Sequence, residues 1–309
     1  MRSMLSRLAD RFATHLPVLT LLAAFGCGGE SPPGGAKPGA AKVVIQNCGS
    51  DTMVNLAQMW AEEYRKAAPG VSVEVSGGGS GVGIRDLAQG IINIANASRD
   101  MTAAEKDQAR KNTGKSPEEW VVGYDAIAIY AHKDNPIEEL TVEQLAGIYG
   151  EGGSIEKWSQ LGVDPAKVGG NDKIVRVSRM NNSGTYVYFR EHVLGKKDYK
   201  LGAQSMSGSK DAVELVGRTP GAIGYSGMGY KTAAVKFVKL AAKAGEPAYE
   251  PTLENVRARH YPLARSLNMY TLGAPEGEVK KYLDWIRSPA GQKIVADAGY
   301  IPVAAAGGR

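Results

Sequence analysis

Between residues 43 and 99 the apolar positions switch repeatedly between two periods. Val43-Val44-Ile45 is a short apolar run leading into a turn at Gly49. Met53, Leu56, Ala57, Trp60, Tyr64 and Ala67 then recur at helical spacing up to Pro69-Gly70, a pair that stops a helix. Val71, Val73 and Val75 alternate with polar residues, the period of a strand, and lead into a glycine-rich loop, Gly77–Gly83. Ile84, Leu87, Ala88 and Ile91 predict a second helix, and Ile91 to Ala97 a third strand ending at Ser98-Arg99. A β-α-β-α-β order with short connections predicts a parallel sheet.

The same reading carries through the rest of the chain. Thr102-Ala103-Ala104-Glu105 and Thr141-Val142-Glu143-Gln144 each have the capping-box form, a Thr followed three residues later by Glu or Gln. Val121 to Ala131 is a long apolar strand, interrupted at Asn135-Pro136. Ile174 to Ser178 predicts a strand, followed by the Asn182–Thr185 turn and a helix to about Leu194. Ala212 to Val216 is helical, and Pro220–Tyr225 is a turn leading into a strand. Residues 240–260 are polar and irregular, Asn268 to Leu272 is a strand, and Val279 to Ala298 is an amphipathic helix broken near Ser288-Pro289. No internal repeat is visible.

Three segments stand where a helix should begin: Gly49-Ser50-Asp51-Thr52, Gly77–Gly83 and Asn182-Ser183-Gly184-Thr185. A helix N-terminus carries unpaired N–H groups and partial positive charge, so three that converge would cradle an oxyanion. All three follow strands, and open α/β sheets bind ligands at the carboxyl ends of strands. The glycine-rich loop is no P-loop, because Gly78–Gly83 is followed by Ile84-Arg85, and it contains no G-x-G-x-x-G dinucleotide fingerprint. Ser80 lies in no nucleophile elbow, and no His is placed beside a Ser. The chemistry therefore favours holding an anion over transforming one. Arg179, after the Ile174–Ser178 strand, can fork onto two oxygens of a tetrahedral anion, and Arg99, after Ser98, is a second candidate. Asp51 is the oddity: a carboxylate in an anion site repels its ligand unless it accepts a proton from it. Phosphate at neutral pH carries protons and sulfate none, so such an acceptor would select phosphate. The alternative is that Asp51 simply suits the helix dipole.

Composition bounds the size and the compartment. The chain has 309 residues, 43% of them hydrophobic, enough for a sizeable core and roughly two domains at about 100–200 residues each. Its formal net charge is +5, with no basic run or aromatic-interleaved basic stripe, which argues against nucleic acid as a partner. Arg2, Arg7 and Arg11 precede an apolar stretch, Leu16 to Phe25, too short to span a bilayer. It ends in Ala24-Phe25-Gly26-Cys27, similar to the lipobox of bacterial lipoproteins, although a plain secretory signal stays open. Ser31 to Ala41 then reads as a tether rich in Pro, Gly and Ala. If Cys27 is acylated, Cys48 is left as a lone thiol; a Cys27–Cys48 disulfide is the competing reading. The remaining histidines, His132, His192 and His260, have no metal-ligand spacing, so neither a metal nor a cofactor is expected.

The ordered set Gly49-Ser50-Asp51-Thr52, Ser76–Ile84, Ile94-Ala95-Asn96-Ala97-Ser98-Arg99, Asn182–Thr185, Pro220–Tyr225 and Ser288-Pro289-Ala290-Gly291-Gln292 resembles the phosphate-binding lipoproteins of ABC phosphate transporters, over about residues 42–302. The resemblance implies an α/β type II periplasmic-binding-protein fold, two α/β lobes joined by crossing hinge strands. The implied layout is a signal peptide, 1–26, a tether, 27–41, a first lobe from 42–123 and 265–309, and a second lobe from 124–264. It implies that Ser50, Thr52, Ser80, Arg179, Ser183, Gly184 and Thr185 hold phosphate. Asp51, Gly81, Ser98 and Arg99 complete the expected ligand set, and Cys27 is the expected lipidation site. One departure bears on selectivity: many members have an Asp where this chain has Arg99. Asn93 also stands where Asp is common, and nothing in the sequence accounts for it.

The resulting expectation is a non-enzymatic, monomeric receptor, lipid-anchored outside a bacterial cytoplasmic membrane in the periplasm or at the cell surface. It captures inorganic phosphate for an ABC permease–ATPase complex. The alternatives are the same fold holding sulfate, molybdate or tungstate, a sensor or adhesion protein without a transport role, and a phosphate-ester hydrolase.

Overall fold

The computed structural model of the chain describes residues 43–303. The first part runs β1 (Val43–Gly49), α1 (Val54–Ala67), β2 (Val71–Ser76), α2 (Ser80–Ala88), β3 (Ile94–Ala97), α3 (Ala103–Thr113) and the long β4 (Pro117–His132). Then come β5 (Glu139–Thr141), α4 (Val142–Tyr149), β6 (Val175–Arg179), α5 (Gly184–His192), β7 (Gln204–Met206), α6 (Ser209–Gly217) and β8 (Ala222–Gly227). The chain closes with β9 (Val235–Ala241), α7 (Leu253–Arg257), β10 (Ala264–Leu272), α8 (Gly277–Ile286) and α9 (Pro289–Asp297).

The strands run in the order β2-β1-β3-β10-β4-β8-β6-β7, with β9 pairing both β4 and β5. β1 is parallel to β2 and β3, as the β-α-β-α-β pattern predicts. β6 is parallel to β7 and β8. β4 joins these two halves. Its first part, Pro117 to Ala126, pairs antiparallel with β10, and Ile127 to His132 pairs with β8 and β9. One continuous strand thus serves both halves, with β10 beside it.

Two large core clusters form, one of them running through both halves, with Val177, Val213 and Val216 joined to Ile45 and Trp60. Ile45, Trp60, Tyr64, Met269, Tyr282 and Ile286 are among the residues filling one, where the Trp60 indole N–H donates to the Gly291 carbonyl at 2.8 Å. Tyr149, Trp158, Phe189, Tyr225 and Tyr261 help fill the other, where the Trp158 indole N–H donates to the Gly221 carbonyl at 3.0 Å. Both indoles are fully buried and need such a partner. Both predicted capping boxes form: Thr102 accepts from the Glu105 N–H, and Thr141 from the Gln144 N–H.

The differences from the sequence reading are local. Ile91 belongs to neither a helix nor a strand and is 62% exposed, because Gly90 ends α2 in a left-handed turn. β1 and β10 are longer than their apolar runs, since Gln46, Asn47, Arg265 and Ser266 are polar strand residues. β9 lies where no strand was expected, although its Val-Lys-Phe-Val-Lys-Leu order is half-buried strand chemistry. The polar stretch 240–260 holds one short helix, α7.

A candidate anion site at four helix N-termini

Four helices begin at one place. α1 and α2 follow the carboxyl ends of β1 and β2, and α5 and α6 follow those of β6 and β7. Strand direction alone aims the four N-termini at the junction between the halves. Around it the side chains of Ser50, Thr52, Ser80, Ser98, Ser183, Thr185 and Ser209 are buried, none more than 2% exposed.

The hydroxyls form two connected groups. Ser50 Oγ donates to Ser98 Oγ at 2.9 Å, and Ser98 Oγ lies 3.3 Å from Ser80 Oγ, which also accepts from the Ser98 N–H. Thr52 Oγ1 lies 2.9 Å from Thr185 Oγ1 and 3.4 Å from Ser209 Oγ, so it reaches from the turn before α1 to α5 and α6. Ser183 caps α5 by accepting from the Thr185 N–H. Gly184 lets the halves approach: a Cβ there would run into Ser80 Oγ and lie 2.7 Å from Ser98 Oγ.

Two buried arginines flank the hydroxyls. Arg179 donates from Nη1 to Ser209 Oγ at 2.7 Å, and from Nη2 to the Ser207 carbonyl at 2.7 Å and to Asp51 Oδ2 at 3.4 Å. Burial pulls its guanidinium pKa down, and the Asp51 charge opposes that. Arg265 donates from Nη1 to the Ser98 carbonyl at 3.0 Å, and from Nη2 to Thr185 Oγ1 at 3.0 Å and Thr52 Oγ1 at 3.3 Å. It forms a buried ion pair with Asp125, at 2.7 Å from Nη2 and 3.0 Å from Nε. Burial pushes the Asp125 carboxyl above its ordinary range against the pull of Arg265. Each arginine therefore has its own carboxylate, and the two pairs cancel in formal charge. Tyr230, whose hydroxyl donates to the carbonyls of Asp51 and Thr52, is pushed up to about 12 by burial.

Of the residues expected from the sequence, Ser50, Thr52, Ser80, Ser98, Arg179, Ser183, Gly184 and Thr185 gather here. Asp51 stands at the edge, 17% exposed, with Oδ1 accepting from the Gly78 N–H at 2.9 Å. The Gly81 N–H is taken by the Asn182 carbonyl at 3.1 Å. Arg99 turns away from the hydroxyls, with both Nη atoms on the Glu105 carboxylate at 2.9 and 2.6 Å. Burial pushes the Glu105 carboxyl up, but the bonds from Arg99 and Thr102 outweigh it and leave the group below its ordinary value. Cys27 lies outside the described residues; Cys48 is buried, its thiol 3.3 Å from the Gly77 carbonyl. Among the described residues no His, Cys, Asp and Glu cluster is arranged to hold a metal ion.

Three members of the cluster escaped the sequence reading. Ser207-Gly208-Ser209 leads into α6, whose first residue is Ser209, in the same small-residue grammar as the other three turns, so Ser209 was findable. Asp125 and Arg265 face each other across the β4–β10 ladder. The available signal was a lone carboxylate inside an apolar strand, which needs a buried partner.

The model of the PBP superfamily domain matches residues 36–290 of the chain. A relative named phosphate-binding protein PstS, from Pseudomonas aeruginosa, is 37% identical over 274 residues, covering 84% of this chain and 83% of its own. A Bacillus subtilis protein of the same name is 31% identical over 256 residues, covering 82% and 79%. Among solved structures, a putative phosphate ABC transporter substrate-binding protein with bound phosphate, from Clostridium perfringens, superposes with a TM-score of 0.74 at 30% identity. It covers 84% of this chain and 100% of that one.

Proposed function

The chain belongs to the PBP superfamily and, within it, to the phosphate-binding proteins of ABC phosphate transporters, and from that premise we propose that it captures inorganic phosphate outside the cytoplasmic membrane. Its fold is the type II periplasmic-binding-protein fold. The observation that carries the proposal is the ring of buried hydroxyls at four helix N-termini, drawn from both halves of the sheet.

Residues 42–123 and 265–309 act as one lobe and 124–264 as the other. Phosphate enters between them, and closure surrounds it with Ser50, Thr52, Ser80 and Ser98 from the first lobe and Arg179, Ser183, Gly184, Thr185 and Ser209 from the second. Arg179 and Arg265 are already matched by Asp51 and Asp125, so attraction comes mainly from oriented N–H and O–H dipoles. Such dipoles are already oriented when the anion arrives and require no counter-ion. Asp51 supplies the selectivity: its carboxylate accepts the proton that phosphate carries and sulfate lacks.

The captured phosphate is delivered to a permease–ATPase complex, and acylation of Cys27 holds the receptor at the membrane. Among the described residues no helix is long and apolar enough to cross a membrane. Denaturing the purified protein and measuring released phosphate tests the ligand. Stoichiometric release is expected; no release, with no uptake of added phosphate, contradicts the reading. Loss of lipid labelling in Cys27→Ser tests the anchor.

A further inference from the structure

We infer that Asn182 is a closing latch: it contributes no ligand contact but holds the two lobes shut and so sets the rate of phosphate release. The inference rests on the phosphate reading above. Asn182 lies in the turn between β6 and α5, one residue before Ser183. It bonds to the glycine-rich loop of the other half in two ways. Its carbonyl accepts from the Gly81 N–H at 3.1 Å, and its Nδ2 donates to the Gly78 carbonyl at 2.8 Å.

These bonds close a ring across the seam. Arg179 reaches Asp51, Asp51 accepts from the Gly78 N–H, and the Gly78 carbonyl accepts from Asn182. Arg179 and Asn182 sit at the two ends of one turn, and Asp51 and Gly78 belong to the facing half. A single residue, Gly78, is therefore gripped from both sides of the cleft, through its N–H by Asp51 and through its carbonyl by Asn182. Gly79 permits the approach. Its φ is 93°, and a Cβ there would lie 2.6 Å from the Asn182 carbonyl oxygen. Gly78 is exposed and Asn182 half-buried, so the latch lies at the rim, above the buried hydroxyls. Opening must break these bonds before the anion can leave. Entry into the open cleft does not make them, so the latch acts on release and leaves capture alone.

The test is stopped-flow measurement of phosphate association and release in the parent, Asn182→Ala and Asn182→Asp. Loss of one such hydrogen bond corresponds to a release rate raised about three- to tenfold. Association and the phosphate-to-sulfate ratio are expected to stay at parental values, and the melting temperature of the phosphate-free protein to be unchanged. Asn182→Asp, which sets an oxygen against the Gly78 carbonyl, should release at least as fast as Asn182→Ala. In small-angle scattering Gly79→Ala should fail to contract on phosphate addition. A parental release rate in Asn182→Ala overturns the inference. So does a loss appearing in the association rate or the selectivity ratio, since that marks a ligand contact. If the parent binds no phosphate, the ligand reading has failed; if the parent binds it and Asn182→Ala releases it at the parental rate, the latch alone has failed.

Discussion

Asp125→Asn should destabilise the protein severely although it leaves the number of heavy atoms in the side chain unchanged. Asp125 and Arg265 are 0% and 1% exposed, and two N–H groups of Arg265 converge on one carboxylate oxygen at 2.7 and 3.0 Å. The other oxygen accepts from the Met228 N–H at 3.0 Å. An amide cannot satisfy both sides: one end must present N–H groups to donors, and the guanidinium charge loses its counter-ion in a site sealed from water. Breaking a buried pair in this way costs about 3–5 kcal/mol. For a chain of this size each kcal/mol lowers the melting temperature by about 2–4 °C, so the expected fall is about 6–20 °C. Thermal denaturation followed by circular dichroism measures it. The double variant Asp125→Asn/Arg265→Gln removes the stranded charge and should recover stability, with a coupling energy of about 1.5 kcal/mol or more. A single variant melting within about 3 °C of the parent, or a cycle with no coupling, would refute the idea that the pair is a compensated charge at the floor of the site.

Other expectations follow from the same contacts. Asp51→Asn should keep phosphate binding while its preference over sulfate falls about tenfold or more, read by competition binding; an unchanged preference removes the selectivity role. Gly184→Ala should weaken phosphate binding about tenfold or more, because the new methyl collides with Ser80 Oγ on closure. Its phosphate-free melting temperature should stay at the parental value, since the added methyl meets Ser80 Oγ only when the lobes close. Glu156 is bonded by Lys200 and Arg176, each at 2.8 Å, which hold its carboxyl at about 2 against an ordinary 4.5. That depressed value makes its stabilisation complete above pH 4.5 and lost as pH falls through about 2. Since Glu156 is 44% exposed, the gain is screened to about 0.5–1 kcal/mol, so Glu156→Gln should melt slightly below the parent at pH 7 and equal to it near pH 2.

Local periodicity made the first half legible. The Val71, Val73, Val75 alternation and the Met53 to Ala67 spacing have single readings, and the parallel β1–β2–β3 sheet follows from their order. The hydroxyls were legible for a related reason: small residues before a helix have few uses, and Ser50, Thr52, Ser80 and Thr185 each stood at such a point. What stayed hidden depends on partners distant in sequence. Arg265 meets Asp125 only because β10 returns beside β4, a pairing that local spacing cannot encode. Arg99 followed a strand just as Arg179 did, yet Glu105, six residues on, captures it. The structure separates the two arginines by what lies across the gap, Glu105 for one and Ser209 with Asp51 for the other.

The central claim is that buried hydroxyls, helix N-termini and a single accepting carboxylate select inorganic phosphate. Titration calorimetry of the purified, phosphate-stripped protein with phosphate and then with sulfate tests it most directly. The account predicts one saturable phosphate site of micromolar or tighter affinity and no measurable sulfate binding at the same concentrations. Equal affinity for sulfate, or no saturable heat with phosphate, would contradict it.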